Sequence, residues 1–246
     1  MNPTPLKILV HGASGRMGRA LLRLAGERDR LRVVAAVSRS GAPLPEADAA
    51  GVPVLPASRL AQAPDCDLVI DFSLPEAFDA LLADCVARGR ALVSGTTGLS
   101  PAQREALDAA AARIPVLWAA NFSAGVAVLH ALVRQAAAAL PGWDADIVES
   151  HHVHKKDAPS GTALFLGEAV AAGRGSAPHY AALRAGDIVG EHLVQLTGPG
   201  ERLELAHRAS NRDIFARGAL EAALRLADKG PGRYGFGELL LGGGTN

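Results

Sequence analysis

The chain has few of the features that mark several protein classes. Its 246 residues include two cysteines, Cys66 and Cys85, which lie in or beside apolar segments and therefore favour reduced core thiols over a disulfide or metal pair. It has 25 basic and 25 acidic residues, so its formal net charge is zero and does not indicate binding to nucleic acid. No apolar run is long enough to cross a bilayer, and residues 1–5 lack the basic head of an export signal. We therefore predict a soluble cytoplasmic protein with no nucleic-acid or membrane partner.

The first 122 residues alternate between short apolar segments and helix-forming ones. The apolar segments predict strands, and the segments between them predict helices joined by short links. This alternation is typical of an α/β fold with a Rossmann-like, doubly wound parallel sheet. The predicted strands cover residues 6–11, 31–37, 65–73, 91–98 and 114–123.

A glycine-bearing turn, Gly12-Ala-Ser-Gly15-Arg-Met-Gly18, follows the first strand and precedes a helix predicted at residues 19–28. In a dinucleotide-binding βαβ unit, Gly12 permits the tight turn, Gly15 lets the backbone approach a pyrophosphate, and Gly18 lets helix and strand lie close together. Ser14 stands where the commonest fingerprint has its middle glycine. The position of the turn favours nucleotide binding over the alternative, a plain turn.

The second strand ends at Ser38-Arg39-Ser40, where an NAD-dependent enzyme has the acidic residue that binds the adenosine ribose. A carboxylate would repel a 2′-phosphate, whereas an arginine can pair with it. We therefore predict NADPH in preference to NADH, with Ser38 and Arg39 near the phosphate and Arg16 and Arg19 within reach. The alternative is that Arg39 is an ordinary solvated loop cation.

Polar residues stand at the ends of three further predicted strands, at Asp71-Phe-Ser73, Gly95-Thr-Thr97 and Asn121-Phe-Ser123. Ligands of open α/β sheets bind at the carboxyl ends of the strands. Each group alone is more often a helix cap or a turn than a contact. Three such groups at one edge favour a nicotinamide pocket.

The pattern changes after residue 123. A long alanine-rich helix is predicted at residues 124–140, and residues 179–186, 190–198 and 201–210 alternate with the period of antiparallel strands. We predict a second, α+β domain over residues 123–212, built on an open and mostly antiparallel sheet, with residues 1–122 and 213–246 forming the dinucleotide-binding domain. The open face of such a sheet predicts association with another subunit.

The segment His151-His-Val-His-Lys-Lys-Asp-Ala-Pro-Ser-Gly-Thr162 follows a predicted strand and leads into a predicted helix. Ser160, Gly161 and Thr162 begin that helix, and the N–H groups and dipole of a helix start suit an anion such as a carboxylate. Arg212 is a candidate for binding a second anionic group.

His151 and Lys155 are the candidate proton-transfer residues of this segment. A histidine can act as acid or base near neutral pH, and a lysine can donate a proton or pair with a carboxylate.

A zinc site of His151, His152 and His154 is disfavoured, because adjacent strand residues point to opposite faces and two lysines would repel the cation. A solvated basic loop with a helix cap stays open. The sequence contains neither the motif of a P-loop nor that of a hydrolase triad.

With these motifs in this order, the sequence resembles the dihydrodipicolinate reductase family of lysine and diaminopimelate synthesis. The resemblance spans nearly the whole chain, and the long central motif is highly specific. The stretches that carry it are residues 12–18, 71–73, 95–98, 120–123, 149–162 and 184–192.

The resemblance implies hydride transfer from a nicotinamide to a cyclic imine dicarboxylate, protonation to tetrahydrodipicolinate, and a C-terminal domain that binds substrate and forms a homotetramer. By match to the family's motifs, His151 and Lys155 handle the proton and His152 contacts the substrate. The residues implied to bind one substrate carboxylate are Ser160, Gly161 and Thr162. Those implied to line the cofactor are Gly12, Arg16, Met17, Gly95, Thr96, Thr97, Ala120, Asn121 and Phe122.

Two features depart from the family's pattern. Ser38 stands where many relatives have an acidic residue, which argues against NADH, and the stretch between Gly173 and Arg184 is short, which predicts a trimmed second sheet. Two other functions fit parts of the sequence: an amino-acid dehydrogenase of the aspartate or homoserine type, and a protein that senses NADPH without turnover. The pair His151 and Lys155 argues against the sensor.

Overall fold

The computed structural model of the protein describes residues 4–242 and divides the chain into two compact units. One unit comprises the residues up to Phe122 together with those from Phe215 onwards, and the other comprises Ser123–Ile214. Each unit has a sheet and a hydrophobic core of its own. Within residues 4–242, no helix is both long and apolar enough to span a membrane.

The first unit is built on a seven-stranded parallel sheet. In chain order, its strands are β1 (Leu6–His11), β2 (Leu31–Ser38), β3 (Val54–Pro56), β4 (Leu68–Asp71), β5 (Ala91–Ser94), β6 (Pro115–Trp118) and β11 (Gly232–Tyr234). They are arranged in the order β11-β6-β5-β4-β1-β2-β3. This arrangement confirms the predicted Rossmann-like sheet.

The helices of this unit explain why its strands are apolar throughout. Ile8, Leu9 and Val10 are all fully buried, because helices cover both faces of the sheet. The helices are α1 (Arg16–Ala25), α2 (Pro45–Ala49), α3 (Pro75–Arg88), α4 (Pro101–Ala111), α7 (Asp213–Leu226) and α8 (Phe236–Leu241), and a 3₁₀ segment covers Ala57–Gln62.

Helix α7 joins this unit although its sequence follows the second one. A Cβ at Gly218 would lie 1.7 Å from the carbonyl oxygen of Phe122, so only glycine permits this close approach. The residues that follow add the edge strand β11 beside β6 and the helix α8. The final segment therefore completes the first sheet.

The second unit consists of two helices against one face of a four-stranded sheet. The helices are α5 (Ala124–Ala139) and α6 (Gly161–Arg174), and the strands are β7 (Asp144–His151), β8 (His179–Arg184), β9 (Gly190–Gly198) and β10 (Glu201–Ala209). The strand order is β10-β9-β7-β8. Buried Ile147, Leu166 and Val194 lie in the core between helices and sheet.

One strand runs in the opposite direction to our prediction. The alternation in residues 179–186 indicated an antiparallel strand, but β8 pairs parallel to β7, while β9 and β10 pair antiparallel. The reason is the connection, because α6 crosses over between β7 and β8 and returns the chain to the same end of the sheet. The second sheet is therefore mixed.

Two other differences concern element boundaries in the first unit. Helix α1 begins at Arg16 rather than Arg19, because Gly15 is its N-cap and Gly18 lies within its first turn. The short elements α2, β3 and the 3₁₀ segment between residues 45 and 62 were missed, since each has too few residues to show a period.

Candidate active site

The end of strand β7 places two titratable side chains on the buried face of the second sheet. Because side chains alternate along a strand, Glu149 and His151 share the face on which Ile147 joins the core. The Glu149 side chain is fully buried and that of His151 nearly so. A buried carboxylate must be paired, and this one has several partners.

The Glu149 carboxylate accepts hydrogen bonds from three parts of the unit. The guanidinium of Arg184 donates to both oxygens at 2.8 Å, His151 Nδ1 lies 2.5 Å from Oε2, and the Ser160 backbone N–H donates to Oε1 at 3.1 Å. We call Glu149, His151, Ser160 and Arg184 the Glu149 cluster. Burial alone would raise the pKa of the Glu149 carboxyl, but the hydrogen bonds from Arg184 and His151 lower it, so the group is ionised.

Ionised Glu149 fixes the orientation of the His151 ring. A carboxylate only accepts hydrogen bonds, so Nδ1 of His151 carries a hydrogen and points at Glu149. The second ring nitrogen, Nε2, is then the one available for chemistry. A Cβ at residue 190 would lie 3.1 Å from this nitrogen, and Gly190 therefore leaves space beside it.

A second buried histidine lies edge-on to the first. The rings of His192 and His151 have centroids 5.2 Å apart, and Nε2 of His192 lies 3.0 Å from the Ser160 hydroxyl. Burial, and then the nearby His151, lowers the pKa of His192 to about 4, so His192 is neutral at physiological pH. Neutral His192 thus contacts the serine that caps α6.

The three residues predicted to bind an anion at the start of α6 differ in exposure. Ser160 is the N-cap and accepts from the Ala163 N–H, Gly161 is exposed, and Thr162 is half-buried. The first turn contains no acidic residue. The positive end of the helix dipole is therefore exposed at Gly161, where no acidic residue of the helix itself neutralises it, while Glu149 binds the N–H of the capping residue Ser160.

The loop after β7 brings Lys155 towards a different partner from the one considered in the sequence. Its Nζ donates to both oxygens of Asp157, at 2.9 and 2.8 Å, and this bond lowers the pKa of Asp157. Arg184 supports the same loop through the carbonyl oxygens of Lys155 and Asp157. Lys155 is therefore held near the Glu149 cluster through its backbone.

His152, which directly follows the last residue of β7, contacts Arg212. Nη2 of Arg212 lies 3.1 Å from Nε2 of His152. Since arginine only donates, Nε2 of His152 is the acceptor. Partial burial and then Arg212 lower the pKa of His152, which agrees with a neutral ring.

In the first unit, the glycine turn after β1 is built as predicted. Gly12 has φ +76°, and a Cβ there would lie 2.4 Å from the carbonyl oxygen of Phe72. No side chain caps α1 at Gly15, its first turn has no acidic residue, and Gly15 and Arg16 are exposed while Met17 is half-buried. The helix start is therefore open to an anion.

The end of β2 is only partly as expected. The Ser38 side chain is buried, and its hydroxyl accepts from the Gly41 N–H at 3.0 Å, so it serves a turn. Arg39 is exposed. The guanidinium of Arg19 bonds to the Ser14 carbonyl and lies 3.6 Å from Glu46.

The residues at the other two strand ends differ in exposure. Thr96 is buried, and its hydroxyl donates to Asp71, whereas Thr97 is exposed and Gly95 is half-buried. Phe122 is buried between the rings of Phe72 and Phe236. Ala120 is exposed and Asn121 half-buried. The side chains of Thr96 and Phe122 therefore belong to the interior of the unit.

Sequence reasoning missed Glu149, Arg184 and His192. Glu149 lies two residues before His151, so period-two alternation places both on one face, and that signal was present. Arg184 and His192 begin and end a recognised motif, but their role depends on strand pairing that the sequence does not display. Among residues 4–242, no group of three or more His, Cys, Asp or Glu is arranged to hold a metal ion.

Comparison with known proteins is consistent across the chain. Residues 6–122 match the family model "Dihydrodipicolinate reductase, N-terminus", and residues 125–240 match "Dihydrodipicolinate reductase, C-terminus". The 4-hydroxy-tetrahydrodipicolinate reductases of Stenotrophomonas maltophilia and Xanthomonas campestris pv. campestris are 64% and 61% identical, each covering 98% of this chain and 100% of its own length.

A solved structure shows the same fold. The dipicolinate-bound dihydrodipicolinate reductase from a Paenisporosarcina species is 20% identical and superposes with a TM-score of 0.81, covering 94% of this chain and 98% of its own. The two family models together cover almost all of the described residues. The chain therefore belongs to the dihydrodipicolinate reductase family, whose members are oxidoreductases.

Proposed function

We propose that the chain reduces 4-hydroxy-tetrahydrodipicolinate to tetrahydrodipicolinate in lysine and diaminopimelate synthesis, with a hydride from a reduced nicotinamide dinucleotide, a proton from the protein, and loss of the hydroxyl group as water. The names of relatives more than 60% identical support the reaction. The observation on this chain that carries the proposal is the Glu149 cluster, because it joins an oriented imidazole to the start of an anion-binding helix. The proposal includes the cytoplasm as the compartment of the enzyme.

The family implies a nicotinamide cofactor, and the first unit fits one. The Gly12 turn and the uncapped start of α1 suit a pyrophosphate, since they offer backbone N–H groups and no competing acid. We assign to cofactor binding Gly12, Gly15, Arg16, Met17, Ser38, Arg39, Gly95, Thr96, Thr97, Ala120, Asn121 and Phe122. The reduced cofactor supplies a hydride.

We assign NADPH as the preferred cofactor. Arg39 is exposed directly after β2 and Arg16 is exposed at the start of α1, so both can pair with a 2′-phosphate. Ser38 contributes through the turn that it makes with Gly41 rather than through a free hydroxyl.

The second unit is proposed to bind the dicarboxylate. One carboxylate lies at the start of α6, against Gly161, Thr162 and the capping residue Ser160. His152 and Arg212, which contact each other, bind the other end of the substrate. The neutral His152 ring leaves Arg212 as the cation of this pair.

The proton is proposed to come from the His151–Lys155 pair. The Glu149 carboxylate holds Nδ1 of His151, so Nε2 is the atom that delivers a proton to the substrate carbon. Nζ of Lys155 donates a hydrogen bond to Asp157 in the free protein. When substrate binds, one of its carboxylates replaces Asp157 as the partner of Nζ. His151 is thus positioned by Glu149, and Lys155 by the loop that Arg184 supports.

We also propose a homotetramer formed through the open face of the second sheet. The face opposite the helices includes Val148, Leu183 and Leu193. Strand pairing places Leu193 beside Val148, and Leu183 beside Ser150 on the same face. Leu183 is 54% exposed. Light scattering of the purified protein measures the mass directly, and Leu183→Glu should lower it.

Oxidation of NADPH with freshly made product of dihydrodipicolinate synthase tests the reaction. We expect rapid loss of NADPH absorbance with that product, and none with aspartate semialdehyde. NADP⁺ reduction with aspartate or homoserine would instead identify an amino-acid dehydrogenase. NADPH binding without turnover of any of these would identify a sensor.

A further inference from the structure

A second buried carboxylate lies in the first unit, at the end of β4. Asp71 is fully buried and accepts four hydrogen bonds within 3.1 Å. The donors are His11 Nδ1 at 2.8 Å, Ser94 Oγ at 2.8 Å, Thr96 Oγ1 at 2.7 Å and the Ser73 N–H at 3.1 Å. We call these five residues the Asp71 cluster.

The Asp71 cluster is charged and fully hydrogen-bonded at its centre. Burial alone would raise the pKa of the Asp71 carboxyl, but the hydrogen bonds from His11, Ser73 and Thr96 lower it. An ionised carboxylate only accepts, so Nδ1 of His11 carries a hydrogen and the ring is fixed. Since His11 is 3% exposed and Asp71 is 0% exposed, neither side chain reaches a bound ligand.

The cluster joins the ends of three neighbouring strands. His11 ends β1 and immediately precedes the Gly12 turn, and Ser94 ends β5 before the loop Gly95–Thr97. Backbone bonds follow the same path, from Phe72 N to the His11 carbonyl at 3.1 Å and from Gly95 N to the Asp71 carbonyl at 2.8 Å. The carboxylate thus sets the relative positions of both loops.

These loops tolerate little displacement. A Cβ at Gly12 would contact the Phe72 backbone at 2.4 Å, and one at Gly95 would lie 2.2 Å from the Phe72 ring. Loops in such close contact with one residue move together or lose their fit. The Thr96 carbonyl is held in addition by the indole N–H of Trp118, at 2.8 Å.

We propose that His11 and Asp71 are positioning residues for the dinucleotide cofactor: they fix the Gly12 turn and the Gly95–Thr97 loop in the geometry that binds it. The proposal rests on the cofactor site of the proposed function. It assigns His11 and Asp71 to cofactor affinity and not to proton transfer or to the dicarboxylate.

The test is direct NADPH binding by His11 variants, measured by titration of the free protein together with Tm and the two KM values. His11→Leu leaves Asp71 with one donor fewer, and the NADPH Kd should rise about tenfold or more. His11→Asn offers an amide N–H close to the position of Nδ1, and its Kd should return to within about threefold of the original. The dicarboxylate KM should change less than about twofold in both.

Asp84→Asn is the matched control in the same unit. Asp84 pairs with buried Arg90 at 3.0 Å, ahead of β5 and away from the Asp71 cluster. It should lower Tm and leave the NADPH Kd unchanged. Ser94→Ala is the milder variant if His11→Leu does not fold, because it removes one donor to Asp71 and should raise the Kd about threefold.

An unchanged Kd in His11→Leu, or in Ser94→Ala when the leucine variant does not fold, would overturn the proposal. So would an equal rise of Kd in Asp84→Asn, which would attribute the effect to stability alone. No recovery in His11→Asn would also contradict it. If the original protein bound neither NADPH nor NADH, the proposed function itself would fail, and that result is separate because the titration needs no dicarboxylate.

Discussion

The two units each contain one fully buried, ionised carboxylate that binds a histidine through Nδ1. In the first unit, Asp71 is surrounded by neutral donors besides His11, whereas in the second, Glu149 is bound at both oxygens by the Arg184 guanidinium. The histidines also differ. The His11 ring is buried within the first unit, whereas Nε2 of His151 lies beside the space left by Gly190.

This difference separates two uses of the same arrangement. In the Asp71 cluster, each oxygen of the carboxylate accepts two hydrogen bonds from residues at adjacent strand ends. These bonds fix the loops that follow the strands. The Glu149 cluster orients one ring and leaves its second nitrogen for chemistry. We therefore expect damage to the first to appear in cofactor binding and damage to the second to appear in kcat.

The largest expected effect follows from removing the oriented ring. His151→Ala should lower kcat by on the order of a hundredfold or more, because general acid catalysis typically contributes that much. Steady-state kinetics with saturating NADPH measures it. His154→Ala is the control, since His154 is exposed in the loop that follows β7, and it should leave kcat unchanged. Nearly full activity in His151→Ala would remove the assigned role of His151.

The next effect compares the two carboxylates directly. Glu149→Gln keeps the shape but loses the charge that orients His151, and kcat should fall by roughly tenfold to a hundredfold with the NADPH Kd unchanged. Asp71→Asn should do the reverse, raising the Kd with a smaller change in kcat. Glu168→Gln, an exposed change on α6, controls for the substitution itself. If both variants changed kcat and the NADPH Kd in the same way, the two carboxylates would not have the separate roles assigned to them.

A smaller effect is expected at the end of β2. Arg39→Glu should shift the ratio of kcat/KM for NADPH and NADH by about tenfold towards NADH, because a carboxylate repels the 2′-phosphate that an arginine binds. Arg32→Glu places the same charge change at the exposed opposite end of this strand, and there the ratio should stay constant. An unmoved ratio in Arg39→Glu would assign cofactor choice to other residues.

The smallest effect is on stability in acid. The pKa of His192 falls from 6.5 to about 4 in the folded protein, so the unfolded chain binds its proton more readily and stability falls as pH drops below about 6.5. The free energy of unfolding should decrease by on the order of 1 kcal/mol from about pH 7 to about pH 6 through this group. Urea titrations at the two pH values measure the slope, which should flatten in His192→Asn. An equal slope in that variant would contradict the assignment.

The sequence predicted most of the fold because most elements leave a strong pattern. Buried strands such as β1 and β4 are continuous apolar runs, and the glycine turn after β1 marks the start of α1. The predicted direction of β8 was wrong, because alternation shows which face of a strand is buried and not which way the strand runs. The short elements between residues 45 and 62 had no period to detect.

The candidate site was predicted in its residues more than in its connections. The His151 segment and the start of α6 were recognised from residue types at the end of a strand. The salt bridge from Arg184 to Glu149 joins residues on two strands, and only their pairing brings them together. His11 likewise resembled an ordinary strand residue until its ring was seen at 2.8 Å from Asp71.

The parallel pairing of β7 and β8 makes the register of β8 a determinant of the site. His151 lies opposite Arg184 in that pairing, and Leu183 lies opposite Ser150 on the other face. Lengthening the turn at residues 175–178 would leave this alignment intact, because the pairing begins at His179. A one-residue deletion inside β8 would instead slip the strand, turn a leucine towards Glu149 and expose the guanidinium on the wrong side. Variation in length is therefore tolerable ahead of this strand and harmful within it.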